Sequence, residues 1–331
     1  MKIERKIKIG VMGCANIAKK SFIPSILKLD KYFELAAVAS RDKHKANLFA
    51  NEFACKPLYS YQDLINFKDL DAIYIPLPTG LHAEWVNKCL ESKIHVYAEK
   101  SIAMNSSESS LMIKNAKKNS VALMEGYMFQ YHSQHKYIKD LIASKLIGSP
   151  RFINSSFGFP EFKEANFRYD NEIGGGVVMD AAGYPLRAIH DFFGKSMSVK
   201  SSTLSFSKKY NTSMWGSAFL SNDSGLGAAI SFGFDNYYQC RYEIWGSLGK
   251  IIVNKAFTPG EEFEPLIIIE KDNQSEVMTL EADNHFVKSL KEFHKIIINK
   301  PMRDKHFEEI ALQSCSLDLI KELSNHKVIK S

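Results

Sequence analysis

The sequence predicts two domains: an N-terminal α/β domain built on a parallel sheet, and a C-terminal α+β domain built on a large, mostly antiparallel, open sheet. In residues 1–126, short apolar runs alternate with helix-like segments, which is typical of parallel strands with helices on both faces. In residues 127–331, many strand-like runs follow one another with few helices between them, which indicates antiparallel pairing. We therefore expect the domain boundary after residue 126.

The composition is that of an ordinary globular protein, with 45% hydrophobic and 24% charged residues among 331. The net charge of +6 comes from scattered lysines rather than a basic cluster interleaved with aromatic residues, so we do not expect nucleic-acid binding. The five cysteines are widely spaced, so we expect reduced thiols in a cytoplasm. We expect neither a signal peptide nor a membrane span, because no apolar run is long enough.

The first strand-like run, residues 7–12, leads into the turn GCANIA, residues 13–18. A buried strand, a tight turn and a helix start place bare backbone N–H groups under a phosphate. The turn has the pattern G-x-A-x-x-A, a degenerate form of the G-x-G-x-x-G fingerprint of Rossmann domains. The predicted dinucleotide-binding residues of this turn are Gly13, Cys14, Ala15, Asn16 and Ile17.

The end of the second strand, residues 33–39, indicates which dinucleotide is bound. A fold of this kind that prefers NAD keeps an acidic residue there to bind the ribose hydroxyls. Here the strand is followed by Ser40 and Arg41, and a hydroxyl and a guanidinium suit a 2′-phosphate. These two residues predict NADP(H); a solvent-facing Arg41 without that role is the alternative. The helix between the two strands is expected over 17–29, with a break or a shifted start at Pro24.

The remainder of the first domain alternates in the same way. Helices are expected at 43–53, 82–91 and 108–118, a short helix or turn at 61–66, and strands at 70–75, 94–98 and 121–124. The turns PLPT and EKS follow two of these strands at the carboxyl edge of the sheet, where ligands bind. Further predicted cofactor-binding residues in and beside these turns are Pro76, Leu77, Pro78, Thr79, His82, Glu99 and Lys100.

In the second domain, strands are expected at 151–159, 201–207, 213–221, 227–234, 239–245, 251–254 and 265–270, with helices at 173–193, 286–299 and 307–323. One face of such a sheet must cover the helix at 173–193. The other face stays exposed or pairs with another subunit. Aromatic residues are frequent in this half, and from composition alone they fit either a core or a subunit contact.

The glycine-rich segment GGGVVMDAAGYP, residues 174–185, carries candidate chemistry. If the segment is helical, Asp180 and Tyr184 are four residues apart and share one face. Pro185 removes a backbone donor and crowds residue 181, so we expect the helix to kink beside Tyr184.

Taken in order, these motifs resemble the Gfo/Idh/MocA oxidoreductase family, named for glucose-fructose oxidoreductase and inositol dehydrogenase. The matching pieces cover nearly the whole chain: GCANIA, ASRD, IPLPTGLHAEW, YAEKSIA, EGYMFQYHSQHKYIKDLI, GSPRFINSSFGFP, FRYD, GGGVVMDAAGYPLRAIH and YEIWGSLGKI. Within the family the chain is most similar to the branch containing NDP-hexose 3-ketoreductases. It departs from the family at Ser101, where proline usually follows Glu-Lys, and this leaves the local backbone geometry open.

The resemblance implies hydride transfer between a nicotinamide and a sugar carbon. Related members carry Asp-x-x-x-His in the glycine-rich segment, with His as the base; here Tyr184 occupies that position, as in the ketoreductase branch. A phenol titrates near 10, and a nearby ammonium lowers that pKa, so Lys100 is the expected partner of Tyr184. Lys100 could also stabilise charge on the reacting oxygen, and Asp180 could orient either group. The structural alternatives are a salt bridge of Lys100 with Glu99, a packed Tyr184 and a capping or surface Asp180.

The segment at 161–170 carries three polar candidates for substrate binding, Asn166, Arg168 and Tyr169, which suit a sugar or its phosphates unless the loop is merely solvated. Arg187, three residues after Tyr184, could also reach the substrate, but the sequence favours an ion pair with Asp191. Two histidines three residues apart, His132 and His135, have metal-like spacing, but no third ligand stands nearby in the sequence, so we expect no metal.

Three functions therefore stay open. The leading one is an NADP-dependent reductase of a keto-sugar nucleotide, and the second is a dehydrogenase of a free polyol, aldose or trans-dihydrodiol, for which the same residues would serve. The third is a catalytically silent NADP-binding regulator, which the loss of Lys100 or Tyr184 would have favoured. The resemblance further implies a dinucleotide-binding domain at 1–126, and a substrate-binding domain at 127–331 that forms a homodimer or homotetramer through its sheet.

Overall fold

The computed structural model describes residues 5–162 and 166–329, and the chain divides into two compact units. The first unit comprises the residues up to 126 together with 286–311, and the second comprises 127–285 and the residues from 312 onward. The sequence predicts a single boundary after residue 126, whereas 286–311 return to the first unit. Helical periodicity indicates that a segment is amphipathic but not which core it joins, and here Phe293 packs edge-on against Tyr97, with ring centroids 5.5 Å apart.

In the described part of the first unit, six strands form a parallel sheet in the order β3-β2-β1-β4-β5-β6. The strands are β1 (Ile7–Met12), β2 (Phe33–Ala39), β3 (Lys56–Leu58), β4 (Ala72–Ile75), β5 (His95–Ala98) and β6 (Leu123–Glu125). β1 pairs with β2 on one side and with β4 on the other, so the strand order reverses at β1. The carboxyl end of β1, where the GCANIA turn begins, therefore lies at the topological switch point of the sheet.

The helices of the first unit are α1 (Ile23–Leu27), α2 (Lys43–Phe53), α3 (Tyr61–Ile65), α4 (His82–Glu91), α5 (Ser106–Asn119), nearly all of α8 (His285–Ile298) and the first residues of α9 (Arg303–Glu322). α2 and α4 have the predicted bounds. Side chains cap several of them: the Asp42 carboxylate accepts from the Lys45 N–H at 3.1 Å, and Asn105 accepts from the Glu108 N–H at 2.9 Å.

The expected break near Pro24 is a wide π turn, Ala18–Phe22, directly ahead of α1. A proline has no N–H to donate, and its ring crowds the carbonyl four residues earlier, which here belongs to Lys20 inside the π turn. A wide turn accommodates that carbonyl without ending the helix.

In the described part of the second unit, nine strands form a mixed, mostly antiparallel sheet in the order β14-β13-β12-β11-β7-β10-β9-β8-β15. The strands are β7 (Pro150–Gly158), β8 (Ser198–Ser207), β9 (Thr212–Ser221), β10 (Gly227–Gly233), β11 (Gln239–Gly246), β12 (Gly249–Asn254), β13 (Leu266–Lys271), β14 (Gln274–Thr279) and β15 (Ser324–Ile329). The β7–β10 and β8–β15 pairs are parallel, and the other pairs are antiparallel. The predicted fold class of both halves is confirmed.

The second unit also contains α6 (Ser133–Ala143) and α7 (Gly183–Phe193). The helix expected over 173–193 begins only at 177, because Gly174 and Gly176 adopt φ values of +93° and +91°, which an α-helix does not allow. A π turn, Val178–Ala182, follows, and α7 packs its apolar side against one face of the sheet. Within residues 5–162 and 166–329, none of the helices is both long and apolar enough to cross a membrane.

Candidate active site

One glycine, Gly13, fixes the backbone conformation of the GCANIA turn. Gly13 has a φ of +116°, and its N–H donates to the Ala39 carbonyl at 2.8 Å. A Cβ at this position would lie 2.9 Å from a methyl carbon of Leu77, so a larger residue would have to displace that side chain. The helix begins at Asn16, directly after Cys14 and Ala15, and Ile17 lies in its first turn. This is the strand–turn–helix arrangement that the dinucleotide fingerprint requires.

A hydroxyl, a thiol and a guanidinium gather at the carboxyl end of β2. The Ser40 hydroxyl accepts from the Asp42 N–H at 3.1 Å, and Cys14 Sγ lies 3.7 Å from the Lys45 carbonyl. Burial raises the pKa of the Cys14 thiol to about 11, while its hydrogen bond with Ser40 opposes that shift. The exposed Arg41 guanidinium lies 5.9 Å from the centre of the Tyr61 ring. The acidic residue nearest this strand end, Asp42, caps α2.

Two loops follow β4 and β5 at the same edge of the sheet, and His82 ties them together. The first loop contains the predicted residues Pro76, Leu77, Pro78 and Thr79. The fully buried His82 ring has Nε2 2.8 Å from the Leu77 carbonyl, and Nδ1 3.0 Å from the Ser101 carbonyl. Burial lowers the pKa of His82 to about 4. These hydrogen bonds join His82 to the backbones of both loops, and its predicted role in cofactor binding stays a prediction.

In the loop after β5, buried hydrogen bonds hold the chain on both sides of Lys100. The neighbouring Glu99 is buried and accepts a hydrogen bond from the Tyr74 hydroxyl at 2.7 Å. Past Lys100, the Ile102 N–H donates to the buried Glu125 carboxylate at 2.9 Å. The Lys100–Ser101 peptide bond is cis. Ser101 occupies the position where the family usually has proline, and this is the backbone geometry that the sequence leaves open. Lys100 itself is half-buried on this anchored loop.

In the second unit, Tyr184 lies in an enclosure of four aromatic rings and is only 8% exposed. The ring centroids lie at 4.6 Å for Phe157, 5.6 Å for Tyr127, and 5.9 Å for Phe129 and Phe257. The kink expected beside Pro185 is the π turn at Val178–Ala182, which contains residue 181, whose carbonyl the proline ring would crowd. The rings and the turn together restrict the direction in which the phenol points.

Asp180 and Arg168, predicted separately as a catalytic and a substrate residue, form an ion pair. Arg168 Nε lies 2.6 Å from Asp180 Oδ2, and both side chains are mostly buried. The guanidinium also lies 4.7 Å from the Phe162 ring centre and 4.6 Å from that of Phe167. The pair ties the segment containing Arg168 to the π turn that precedes Tyr184.

The other two predicted residues of this segment have local contacts. Asn166 Oδ1 accepts from the Arg168 N–H at 3.1 Å. The Tyr169 ring stacks on Tyr210, with centroids 4.1 Å apart and planes 10° from parallel. Their contact with a substrate stays a prediction.

Arg187 is 3% exposed, and its guanidinium lies 5.7 Å from the centre of the Tyr127 ring. Its Nε donates to Gln130 at 3.4 Å. Asp191, which the sequence suggests as its ion-pair partner, pairs with Lys139 at 2.6 Å. A role of Arg187 in substrate binding stays a prediction.

Sequence reasoning missed several residues around these groups. Tyr127 lies in the motif EGYMFQY, which the family resemblance singles out, but no pattern there indicates contact with residue 184. Nothing in the local sequence indicates that Tyr61 lies beside Arg41 or that Gln313 contacts Gly183. His135, considered for metal spacing, has its ring nitrogens 3.0 Å from the Tyr242 hydroxyl and 2.9 Å from the Ala256 carbonyl.

Comparison with known proteins identifies both halves of the chain. Residues 7–127 match the family described as "Oxidoreductase family, NAD-binding Rossmann fold", and residues 135–252 match the "GFO/IDH/MocA C-terminal domain". The chain is 35% identical over 295 residues to a dTDP-3,4-didehydro-2,6-dideoxy-alpha-D-glucose 3-reductase from Saccharopolyspora spinosa. That alignment covers 89% of each of the two chains. It is 33% identical over 251 residues to a D-xylose 1-dehydrogenase (NADP(+)) from Haloferax volcanii, over 75% of this chain and 76% of that one.

Among solved structures, the chain is similar to KijD10, a 3-ketoreductase from Actinomadura kijaniata crystallised with NADP and TDP-benzene. The TM-score is 0.95 at 30% identity, over 98% of this chain and all of KijD10. Variants of KijD10 with one tyrosine changed to phenylalanine or one lysine changed to alanine have also been solved. From the two domain matches and these likenesses over most of its length, the chain belongs to the Gfo/Idh/MocA oxidoreductase family.

Proposed function

We propose that this protein is an NADP-dependent reductase that acts on the ketone of a sugar nucleotide. The observation that carries the proposal is the similarity over 89% of the chain to a dTDP-keto-sugar 3-reductase, together with the presence of Lys100 and Tyr184. The sugar nucleotide would be the hydride acceptor in the biosynthetic direction.

Three features of the first unit support NADP(H) binding. The backbone of residues 13–17 would hold the pyrophosphate, because Gly13 allows close approach of the turn. Ser40 and Arg41 would bind the 2′-phosphate, since Asp42 is engaged as a helix cap rather than as a ribose ligand. The loops at 76–79 and 99–101 would lie along the nicotinamide end. When bound, the cofactor supplies the hydride.

Lys100 and Tyr184 would handle the charge and the proton on the substrate oxygen. The Tyr184 phenol donates a proton to the carbonyl oxygen during reduction and accepts it in the reverse direction. The Lys100 ammonium hydrogen-bonds that oxygen and stabilises its developing negative charge. Asp180, paired with Arg168, would hold the segment before Tyr184 in place. In KijD10, the lysine and the tyrosine replaced in the solved variants are separated by the same number of residues as Lys100 and Tyr184, which supports these assignments.

The test is Tyr184→Phe, assayed by NADPH absorbance with a panel of dTDP-linked keto sugars. Removal of the general acid should lower kcat by about 100-fold or more, because the proton then has to come from water. NADPH binding, measured by its fluorescence, should not change. Tyr242→Phe is the matched control: it removes another buried phenol hydroxyl, which contacts His135 at 3.0 Å. Full turnover by the Tyr184→Phe enzyme would overturn the assignment.

A second candidate is a dehydrogenase of a free sugar or polyol, which the similarity to a D-xylose 1-dehydrogenase favours. The same panel separates the two, since free aldoses and polyols with NADP⁺ would then be turned over and keto-sugar nucleotides would not. A protein that binds NADPH but turns over neither class would instead be an NADP-binding regulator.

We further propose a homodimer or homotetramer formed through the outer face of the nine-stranded sheet. Trp245 on β11 and Phe152 on β7 lie on neighbouring strands, and Phe219 lies on β9, one strand beyond β10. The Phe152 ring is 6.2 Å from Phe219 and 6.4 Å from Trp245. Trp245 is 49% exposed and Phe219 40% exposed, so a second copy could cover them. The free state of all five cysteines is consistent with an enzyme of the cytoplasm.

A further inference from the structure

Gly183, the residue directly before Tyr184, is in contact with the hydroxyl of Tyr127. A Cβ added at Gly183 would lie 1.8 Å from that oxygen and 2.8 Å from the ring carbon that carries it. Real carbon–oxygen contacts are never that short, so any larger residue at 183 would have to push the Tyr127 ring away. Tyr127 is fully buried, and its ring meets the Tyr184 ring edge-on at 89°. A displaced Tyr127 would therefore press on Tyr184.

The carbonyl of the same glycine is held from another element. The buried Gln313 side chain, on α9, donates from Nε2 to the Gly183 carbonyl at 2.9 Å. His190 orients that amide, because its Nδ1 lies 3.3 Å from Gln313 Oε1. Burial lowers the pKa of His190 to about 3, so its ring is neutral and has one N–H to donate to Gln313. The amide is thereby fixed with its NH₂ group toward Gly183.

Gly183 also lies where the backbone changes from the π turn at Val178–Ala182 to α7. At such a junction the peptide planes are less constrained by regular helical hydrogen bonds, and outside contacts decide their orientation. The Tyr127 hydroxyl fills the space beside the Cα of Gly183, and the Gln313 amide holds the Gly183 carbonyl by a hydrogen bond.

We propose that Tyr127 and Gln313 are positioning residues for Tyr184: by holding Gly183 from two sides, they set the direction of the phenol that follows it. Glycine is required at 183 because the Tyr127 hydroxyl occupies the space of a side chain. The catalytic consequence rests on the proposed function of Tyr184, whereas the contact between residues 127 and 183 does not.

The proposal makes Gly183→Ala an informative change. In an ordinary helix interior, alanine is more favourable than glycine, so helix propensity alone predicts a harmless or stabilising substitution. The contact with Tyr127 predicts the opposite. Tyr127→Phe removes the atom at 1.8 Å and leaves the nearest ring carbon at 2.8 Å, so the ring then has to move much less to admit a methyl group.

The experiment is a double-mutant cycle of Gly183→Ala and Tyr127→Phe in the full-length enzyme, read by single-turnover NADPH oxidation. Gly183→Ala should slow hydride transfer by about 100-fold, because a misplacement near 1 Å has that effect, with the dissociation constant of NADPH unchanged. Tyr127→Phe alone should slow hydride transfer by less than about tenfold, and the double variant should be at least about tenfold faster than Gly183→Ala alone. Gly260→Ala is the matched control, because no heavy atom lies within 4 Å of a Cβ built there.

Thermal unfolding of the same four proteins provides a readout independent of catalysis. Rescue of both hydride transfer and melting temperature supports the proposal. Rescue of melting temperature alone, or a double variant as slow as Gly183→Ala, overturns it. If Gly183→Ala does not fold, Gln313→Met, which keeps the volume and removes the amide donor, should still lower kcat without changing NADPH binding; an unchanged kcat overturns the assignment of Gln313. Full activity of Tyr184→Phe would instead identify a failure of the proposed function.

Discussion

In the proposed function, Arg41 is the residue that would select NADP(H) over NAD(H). It follows β2 directly, it is exposed, and its guanidinium lies 5.9 Å from the Tyr61 ring, which can support it in one orientation. The nearby carboxylate of Asp42 accepts from the Lys45 N–H and is thereby committed to the start of α2. The strand end thus offers positive charge and a hydroxyl to a ligand.

Arg41→Ala should weaken NADPH binding while leaving NADH binding nearly unchanged. Hydrogen bonds to a charged group contribute about 1.5–3 kcal/mol, which corresponds to about 10- to 150-fold in the dissociation constant. The measurement is a fluorescence titration with each reduced cofactor.

Lys43→Ala is the control for loss of nearby positive charge, because Lys43 lies two residues after Arg41 in the chain. Its ammonium group likewise lies beside an aromatic ring, 5.5 Å from the centre of Tyr59. Equal weakening of NADPH by both variants would mean that general electrostatic attraction, and not a contact with Arg41, selects the phosphate. Equal weakening of NADPH and NADH by Arg41→Ala would contradict a 2′-phosphate site.

The sequence indicates the residues that are proposed to act through their own chemistry, but it does not indicate the residues that are proposed to act by positioning another. Gly13 was recognised from its place in a fingerprint, and Lys100 and Tyr184 from the order of family motifs. Tyr127 and Gln313 have no such signal: each is an ordinary buried side chain by type, and Gln313 reaches Gly183 across 130 positions of the chain. Only tertiary contacts reveal them.

Among the elements, the two π turns follow one rule. Each lies just ahead of a proline, Pro24 or Pro185, and each contains the residue four positions before that proline. The sequence therefore predicts where these helices are disturbed, because proline chemistry is local. It does not predict whether the disturbance is a break, a kink or a wide turn, since packing around the helix decides among them.

The ion pair of Arg168 with Asp180 should control the opening of the segment at 166–176. Its N–O distance is 2.6 Å, and its side chains are 27% and 12% exposed. In a cycle of Arg168→Met and Asp180→Asn, we expect a coupling of about 1–3 kcal/mol, because the pair is charge-assisted and mostly shielded from water. The measurement is hydrogen exchange of the Gly176 amide, which donates to the Arg168 carbonyl at 2.8 Å.

Lys136 and Asp140 on α6 provide the comparison, since their N–O distance is nearly the same at 2.7 Å but their side chains are 78% and 61% exposed. Their coupling, read from amides of α6, should be at most about 0.5 kcal/mol. Equal coupling for the two pairs would mean that burial does not strengthen the Arg168–Asp180 bond.

At the level of strands, prediction succeeded where burial leaves an apolar pattern. β2 has its predicted bounds, and the strands from β7 to β13 lie within a few residues of theirs. β14 was missed because five of its six residues are exposed and it lacks an apolar run. An edge strand of this kind is held by its neighbour β13 rather than by burial of its own side chains.

For the whole molecule, the open face of the nine-stranded sheet is the feature that a single chain leaves unexplained. Besides its aromatic group it carries short hydroxyl side chains in pairs: Ser156 with Ser231 at 2.8 Å, and Thr203 with Ser217 at 2.9 Å. Such small groups would allow close approach of a second sheet in the proposed oligomer, and Phe152, Phe219 and Trp245 would be its aromatic anchor.

Trp245→Ala should weaken self-association by at least about 30-fold, the effect of losing roughly 2 kcal/mol at an aromatic anchor. Sedimentation equilibrium over a concentration series measures the dissociation constant of self-association. Leu111→Ala is the control, because Leu111 is also 49% exposed but lies on α5 of the first unit. A wild-type protein that is monomeric at micromolar concentration would refute association through this face.

The return of residues 286–311 to the first unit has a consequence for synthesis on the ribosome. Phe307 and Ile310 complete the same apolar core as Leu123, so a nascent chain cannot close that core while those residues are still inside the exit tunnel. The nucleotide fold, although encoded first, is therefore finished among the last parts of the protein, and expression of residues 1–126 alone would leave its helices without part of the layer that covers them.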